Sequence, residues 1–402
     1  MAKPEIRLKG FEGEWNSDII GNLATFSKGR GYSKSDLRKQ GNPIILYGRL
    51  YTNYSSIIDY VDTFASLHKG AVLSKGNEVI IPGSGETPED IAIASSVEQE
   101  GVILGGDLNI LSFDFEKVVP AFAAIGITYS KTHYELSDYA QGKTVVHLHN
   151  SSISKGHLSY PSREEQEAIV IYMSTIDSLF LSSTKKIESL KQMKQACLVS
   201  MFPQAGETTP RVRFKGFEGK WTTECAGHLF NTFNERNRPD LPVLSANQDI
   251  RGMAPRNDIG YQISHNRSNE VTYKVVRPGQ FVIHLRSFQG GFAHSSVLGI
   301  TSPAYTVFGF KNSQEHDDYF WKIIFMSKEF IKNLETITYG IRDGKSISFT
   351  EFSQMKFLYP SKDEQQRIAS YFRSLDKQIS LQEKRLEKLK QIKAACLDKM
   401  FV

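Results

Sequence analysis

The 402-residue chain repeats itself at long range. Pro4-Glu-Ile-Arg-Leu-Lys-Gly-Phe-Glu-Gly-Glu-Trp15 returns as Pro210-Arg-Val-Arg-Phe-Lys-Gly-Phe-Glu-Gly-Lys-Trp221, with 8 of 12 positions identical at an offset of 206. A second pair runs from Pro161-Ser-Arg-Glu-Glu-Gln166 to Met201-Phe202 and from Pro360-Ser-Lys-Asp-Glu-Gln365 to Met400-Phe401. It has no gap at an offset of 199, and 18 of 42 positions are identical. The offsets differ by seven, so the intervening segments, about 16 to 160 and 222 to 359, differ in length by that amount; they also differ almost completely in sequence. This is not a solenoid of short equal units. One frame is used twice to carry two different inserts.

The shared block at 161 to 202 predicts a long helix. Pro161 and Ser162-x-x-Glu165 read as a proline plus capping box at its start, and Pro360 with Ser361-x-x-Glu364 repeats the device. Apolar residues then recur at alternating spacings of four and three: Ile169, Met173, Ile176, Phe180, Ile187 and Leu190, matched by Ile368, Phe372, Leu375, Ile379, Leu386 and Leu389. Between the fourth and fifth of each set the heptad position is polar, Ser183 and Gln382. A 3.5-residue period predicts a coiled-coil seam, and roughly 40 residues at 1.5 Å each make a rod of about 60 Å. The natural partner of each helix is the other copy, in an antiparallel pair with internal pseudo-twofold symmetry. Cys197 and Cys396 then fall at opposite ends, so no bridge between them is expected.

The variable blocks read as α+β domains in which strands dominate. Glu78–Pro82, Gly101–Leu104, Val271–Val276, Gln280–His284 and Tyr305–Phe310 are short β-branched or aromatic runs bounded by turn residues. Tyr319–Met326 and Lys328–Leu334 read as helices. The expected organisation is a first domain over 1–160, a helix over 161–202, a second domain over 203–359 and a second helix over 360–402.

Composition places the chain among soluble globular proteins, 40% hydrophobic and 23% charged. Three cysteines without a CxxC pair point to a reducing cytoplasm rather than a disulfide or zinc framework. No apolar stretch approaches 18 residues and the N-terminus lacks a signal-peptide core, so neither export nor membrane insertion is expected.

Motifs of chemistry are missing. Neither Asn-Pro-Pro-aromatic nor Asp-Pro-Pro-aromatic occurs, as a base methyltransferase would need. Gly340-Ile-Arg-Asp-Gly344-Lys345-Ser346 has three residues between its glycines where a phosphate-binding loop needs four. There is no HExxH. His147 and His149 alternate in Val145-Val-His-Leu-His149 as residues of one strand face do, and Glu86, Asp90, Asp107 and Asp114 are scattered through loop and strand signals. No catalytic residue and no metal ligand is assigned.

Two dissimilar domains of about 140 residues, each followed by a copy of one long helix, resemble the specificity subunit of type I restriction-modification systems. The resemblance covers essentially the whole chain. It rests on Lys9-Gly-Phe-Glu-Gly-x-Trp15 and its copy at 215 to 221, on the Pro-Ser-x-x-Glu-Gln helix starts, and on the helix ends Leu190–Leu198 and Leu389–Leu397. Gly41–Gly48 followed by Tyr51-Thr-Asn-Tyr54 looks like the opening of one variety of target-recognition domain. The resemblance implies a non-catalytic reader of double-stranded DNA whose two domains each contact one half of an interrupted site. Its helices set the gap and dock two modification subunits. Those partners, joined by restriction subunits, would bring S-adenosylmethionine, ATP and Mg.

Candidate DNA-contacting residues follow from chemistry: Arg for guanine, Asn or Gln for adenine, Lys for phosphate. In the first block they are Lys28, Arg30, Tyr32 and Lys34 in a Gly-rich loop after a short helix signal, then Tyr47, Arg49, Tyr51, Asn53 and Tyr54, and Lys143. In the second they are Arg236, Asn237, Arg238, Asn247, Gln248, Arg251, Arg256, His265, Asn266 and Arg267, then Arg286, Ser287 and Gln289, and Lys345. Lys384, Arg385, Lys388, Lys390 and Lys393 are interrupted by Glu383 and Glu387 and read as an exposed coiled-coil face. The formal charge is +5, yet the two variable blocks together come to -1; the surplus belongs to the linker and the second helix. A chain built this way is expected to supply specificity while partners supply much of the grip on phosphate. Two other readings stand beside this one: a coiled-coil scaffold with two protein-binding domains, and a self-contained DNA enzyme, which the missing motifs disfavour.

Overall fold

The computed structural model describes residues 3–247, 252–258, 267–284, 291–337 and 347–402. The fold is mixed α+β, with two long helices of 38 residues each, Arg163–Ser200 and Lys362–Lys399. The chain divides into two compact units, 1–184 with 384–402, and 185–383. Each unit therefore contains one variable block and parts of both long helices.

In the first unit the block is closed at its base by an antiparallel pair, Asn16–Ile19 with His157–Tyr160, in the register Asn16 to Tyr160. It contains two five-stranded sheets. One has the order Ala24–Lys28, Leu108–Phe113, Glu78–Pro82, Ser95–Val97, Ile57–Ile58; the other is Leu37–Arg38, Phe64–Ala65, Asn42–Ile45, Glu100–Leu104, Leu73–Lys75. Helix Pro120–Tyr129 has no polar face because it is covered on both sides. Its Ala123, Ala124 and Ile127 join the sheet core, whereas Phe122 and Ile125 pack with Trp15, Ile169, Met173 and Phe401.

The second unit is closed the same way, by Thr222–Cys225 against Lys356–Tyr359. Its one six-stranded sheet has the order Phe230–Phe233, Thr306–Phe310, Phe281–Ile283, Phe292–Ser295, Gly252–Pro255, Leu244–Asn247. The core is built from aromatic rings in edge and tilted contact, among them Phe230, Phe281, Phe308, Trp321, Phe325 and Phe352. The segment expected to be a strand from Val271 begins instead as a 3-10 turn over Arg267–Thr272, and pairing is confined to Lys274–Val276. Local bonds decide this: the Thr272 hydroxyl donates to the Asn269 carbonyl at 2.7 Å and Tyr273 N to Glu270 O at 3.0 Å.

The frame extends beyond the visible repeat. Each closing strand leads into a one-turn helix, Ile20–Leu23 or Ala226–Leu229, and then a sheet strand. A glycine sits at the same place in both. A Cβ on Gly21 would stand 2.9 Å from Ser154 O, and one on Gly227 3.1 Å from Ser353 O, so backbone meets backbone at both.

The long helices are anchored by pairs of contacts that occur twice. Glu165 does not complete the expected capping box. Its amide approaches Ser162 Oγ at 3.5 Å, but its carboxylate, 1% exposed, accepts two bonds from Arg7 at 2.7 and 2.6 Å. Arg213 does the same to Glu364 at 2.6 and 2.7 Å. The guanidinium also donates to Gly13 O in the first unit and Gly219 O in the second. Paired charge thus replaces local capping, tying the Pro-x-x-Arg motif to the helix start. The neighbouring glutamines are fully buried. Gln166 accepts from Val119 N at 2.8 Å and donates to Lys117 O and Pro161 O, while Gln365 accepts from Asp317 N at 3.1 Å and donates to Pro360 O. They hold the helix start against the segment that leads into Pro120–Tyr129 or Asp318–Phe325.

The helices run antiparallel within each unit. In the first, Asp177 pairs with Lys393 at 2.5 Å and Cys396 Sγ lies 4.0 Å from Tyr172 Oη; in the second, Lys194 pairs with Asp376 at 2.5 Å and Cys197 Sγ lies 3.5 Å from Tyr371 Oη. The helices exchange roles between the two sets. The ends follow suit: Phe401 packs on Phe122 beside Trp15, and Phe202 on Phe320 beside Trp221. Nine of the twelve expected seam residues are buried; Phe180, Leu386 and Leu389 are half-buried. Several, such as Ile169 and Phe372, also pack against the core of the adjoining variable block, so the seam is shared between helix pairing and domain docking.

Candidate nucleic-acid interface

In the first unit, strand register brings two separate candidate clusters to one end of the block, away from its closing strands. Lys28 lies opposite Asn109, and Pro82 opposite Leu108. Asn42–Ile45 and Glu100–Leu104 are parallel, with Ile45 opposite Leu104, so Leu46 onward and Gly105 leave at the same end. Backbone bonds lace these turns together: Gly29 N to Leu108 O at 2.9 Å, Gly83 N to Asp107 O at 2.7 Å, Gly105 N to Ile45 O at 2.9 Å. Lys28 is the last residue of a strand rather than part of a loop, and the loop proper begins at Gly29.

The candidate side chains of the first unit differ in what they are free to do. Lys28, Arg30, Lys34, Asn53 and Lys143 are exposed, and the four cations have no side-chain partner among the described residues. Tyr47 and Tyr51 are exposed and meet edge to face at 6.4 Å, and Tyr51 Oη donates to Ser84 O at 2.7 Å. Tyr32 stacks on His68 at 5.2 Å. Two candidates are otherwise engaged. Arg49 is held by Asp62 at 2.5 Å. Tyr54 points inward, its Oη bonded to Ala94 O and Thr128 Oγ1 at 3.1 and 3.2 Å, and burial pushes its phenol well above the ordinary range. His147 and His149 do share one side, with Val146 and Leu148 buried on the other, and His147 Nδ1 lies 2.9 Å from Ser84 Oγ at this same end. Neither Ser84 nor Asp107 carried a motif in the sequence; only the strand register places them here.

In the second unit, Phe233 lies opposite Val307 and Ile283 opposite Thr306, so the segment from Asn234 leaves where the Phe281–Ile283 strand ends. Asn247 lies opposite Gly252, which is beside His294 in a parallel pair, and His284 N donates to Gly291 O at 2.8 Å. Asn247 and Gly252 are thus level with His294 and Phe281, two residues short of the Ile283–Phe292 pair at that end. Arg236 bonds to Asn234 Oδ1 at 3.2 Å, Arg238 is bidentate to Asp240 at 2.8 and 2.7 Å, and Asn237 N donates to Val271 O at 3.1 Å. Arg256 sits at the other end of its strand from Gly252, its Nε 2.9 Å from Ser245 Oγ. Gln248, Arg251, His265, Asn266, Arg286, Ser287, Gln289, Lys345 and the 340–346 glycine loop lie outside the described residues, as does the Arg267 side chain.

Among the described residues no group of three His, Cys, Asp or Glu is placed to hold a metal, and no helix is long and apolar enough to cross a membrane. Arg7, Arg213, Gln166 and Gln365 were given no role from sequence, although their identity at equivalent positions of both repeats was the available signal.

Two polar loop ends on a twice-built frame are the layout of a DNA-recognition subunit, and the comparisons agree. A family model described as type I restriction modification DNA specificity domain matches twice, over residues 12–192 and 225–391. The chain belongs to this family, as the DNA sequence-specificity subunit of a type I restriction-modification system. Among solved structures it is similar to the type I restriction-modification S subunit from M. genitalium, at 15% identity and a TM-score of 0.62, covering 100% of this chain and 99% of that one. It is also similar to the HsdS subunit from Thermoanaerobacter tengcongensis, at 16% identity and a TM-score of 0.47, covering 96% of each. No curated protein matches. At these identities the likeness speaks for the fold, and the first carries it.

Proposed function

We propose that each unit reads one half of a bipartite, interrupted DNA site through the loop end of its sheet domain, and that the chain itself carries out no chemistry. The observation that carries this is the contrast between frame and insert. The Arg–Glu, Gln, Trp and Phe contacts and the strand order of the main sheet are duplicated, whereas the sequences and loops that they support differ. Two different reading surfaces in equivalent slots suit two different half-sites; a protein-binding scaffold gives no reason for that difference. The long helices would set the unread gap and dock two modification subunits, which would supply S-adenosylmethionine and adenine methylation in the cytoplasm. Restriction subunits would add ATP- and Mg-dependent translocation and cleavage.

The test has two arms. Incubated with labelled methyl donor and DNA, the purified chain transfers nothing, and transfer appears only with a modification subunit; incorporation by the isolated polypeptide would refute the reading. Exchanging residues 222 to 359 for another such block changes one half-site in the host's methylation map. A change in both halves would refute independent readers.

A further inference from the structure

We propose that Arg30 reads a guanine in the half-site of the first recognition domain, an inference that rests on the reading of that domain as a DNA-contacting one. Residues 16–160 contain three arginines, Arg30, Arg38 and Arg49. Arg49 is held by Asp62 and also donates to Tyr60 O at 3.3 Å. Arg38 folds back on the carbonyls of Ser35 and Leu37, both at 2.9 Å. Only Arg30 presents an exposed guanidinium with no partner among the described residues.

Its backbone, by contrast, is tightly fixed. Arg30 N donates to Leu104 O at 3.2 Å, and its two neighbours are pinned by Gly29 N to Leu108 O at 2.9 Å and by Gly106 N to Gly31 O at 2.5 Å. Gly29 lies so close to the crossing strand that a Cβ there would fall 1.9 Å from Gly105 O. The loop then turns through left-handed backbone at Gly31, φ 63°, and Tyr32, φ 60°. Tyr32 is held in that conformation by three contacts: its Oη donates to Ser66 O at 3.2 Å and accepts from His68 N at 2.9 Å, and its ring stacks on His68.

Left-handed backbone at a non-glycine residue is costly and persists where the surroundings enforce it, commonly at functional loops. Among the described residues it occurs at Tyr32, Asp107 and Asn237. The first two belong to the turns that meet at the loop end of the first domain, and the third to the segment leaving the equivalent end of the second domain's sheet. Guanine offers O6 and N7 in the major groove to a planar fork of donors. A guanidinium carried on an immobile loop makes that pair of bonds with little backbone to order. Lys28 and Lys34, exposed on either side, are placed for the flanking phosphates.

The experiment uses the assembled enzyme, this chain with its modification subunits, on duplexes in which each base pair of both half-sites is varied in turn. The unaltered enzyme requires G·C at one position of the first half-site. Arg30→Ala and Arg30→Lys lose discrimination at that position by roughly 5- to 150-fold, and keep it at every other position. Intact preference at the second half-site shows that the variants are folded. Lys28→Ala lowers methylation of all sequences alike. The assignment of Arg30 is overturned if Arg30→Ala weakens all sequences equally, as a phosphate contact does, or leaves base preference unchanged. Should exchange of residues 16–160 leave both half-sites unaltered, the domain reading itself fails, and that result is distinct from a failure at Arg30.

Discussion

Replacing Arg213 with Met tests how the frame is held. Glu364 is 1% exposed, and both of its carboxylate oxygens are taken by Arg213 at 2.6 and 2.7 Å; the arginine side chain itself is 18% exposed. Arg213→Met leaves that carboxylate buried and unpaired, which costs about 3–5 kcal/mol. Loss of the bond to Gly219 O adds about 1 kcal/mol. With a urea slope of about 2–3 kcal/mol per molar for a unit of this size, the unfolding midpoint falls by about 1.3–3 M. Because the chain has two compact units, the transition must be read locally. A Trp15→Phe background leaves Trp221 and Trp321, both in the second unit, as the fluorescent reporters. Adding Glu364→Leu to Arg213→Met removes the stranded charge and restores most of the loss. A single-variant cost below about 1 kcal/mol, the range of exposed pairs, would refute the argument. So would a double variant as unstable as the single one, because packing and not charge would then be what was lost.

Phe401→Ala empties a site against Phe122 in the first unit and is expected to cost about 3–5 kcal/mol there, with Trp15 fluorescence reporting the loss and the second unit's transition unmoved. At Asp318, burial works to raise the carboxyl pKa, but the 2.6 Å contact with His294 and the nearby Arg373 outweigh it and the value is lowered. A lowered folded-state value gives stability that is present above the unfolded value of about 3.9 and is lost as pH falls through the folded one. Asp318→Asn should therefore flatten the acid limb of the second unit's stability profile; an unchanged slope below about pH 4 would contradict the assignment.

The architecture was legible in the sequence because the frame is duplicated and its long helices have a strong period. Helix bounds, the strands at Glu78–Pro82 and Thr306–Phe310, and most of the seam follow from patterning that local physics enforces. The roles of single polar residues did not follow. Glu165 has the spacing of a capping box, but Arg7 lies 158 residues away in sequence, and its guanidinium outcompetes a local amide for the carboxylate once burial removes water. Tyr54 and Arg49 sit in the same aromatic and basic run as Tyr47 and Tyr51, and nothing local marks that one turns into the core and the other finds Asp62. The convergence of residues near 28 and near 47 depends on a parallel pairing between Asn42–Ile45 and Glu100–Leu104, a long-range fact that no window of sequence contains. The shared turn at Gly21 and Gly227 was hidden for another reason: a close backbone approach constrains one residue and leaves its neighbours free to vary.

Charge placement decides how strongly the first domain can hold DNA. Residues 15 to 160 carry 12 basic and 15 acidic residues, yet Lys28 and Arg30 at the loop end, like Lys34 and Lys143, are exposed without side-chain partners among the described residues. The long-range field of this block is therefore weakly repulsive to DNA while its loop end is locally cationic, a combination that favours correct docking over general attraction. Counterion release limits what the three lysines can do, Arg30 being assigned to a base. With about 0.9 ions released per phosphate neutralised, they contribute at most about 2.7 to the slope of log affinity against log salt. Between 50 and 200 mM salt that is roughly a 40-fold loss, below the 10³ to 10⁵ typical of proteins that make six to ten phosphate contacts. Changing the three lysines to Gln in the assembled enzyme should lower the measured slope by up to about 2.7 and leave the remainder to the second domain and the partner subunits. An unchanged slope would mean that this end of the domain does not meet phosphate, and with it would go the argument that the loop end is the reading surface.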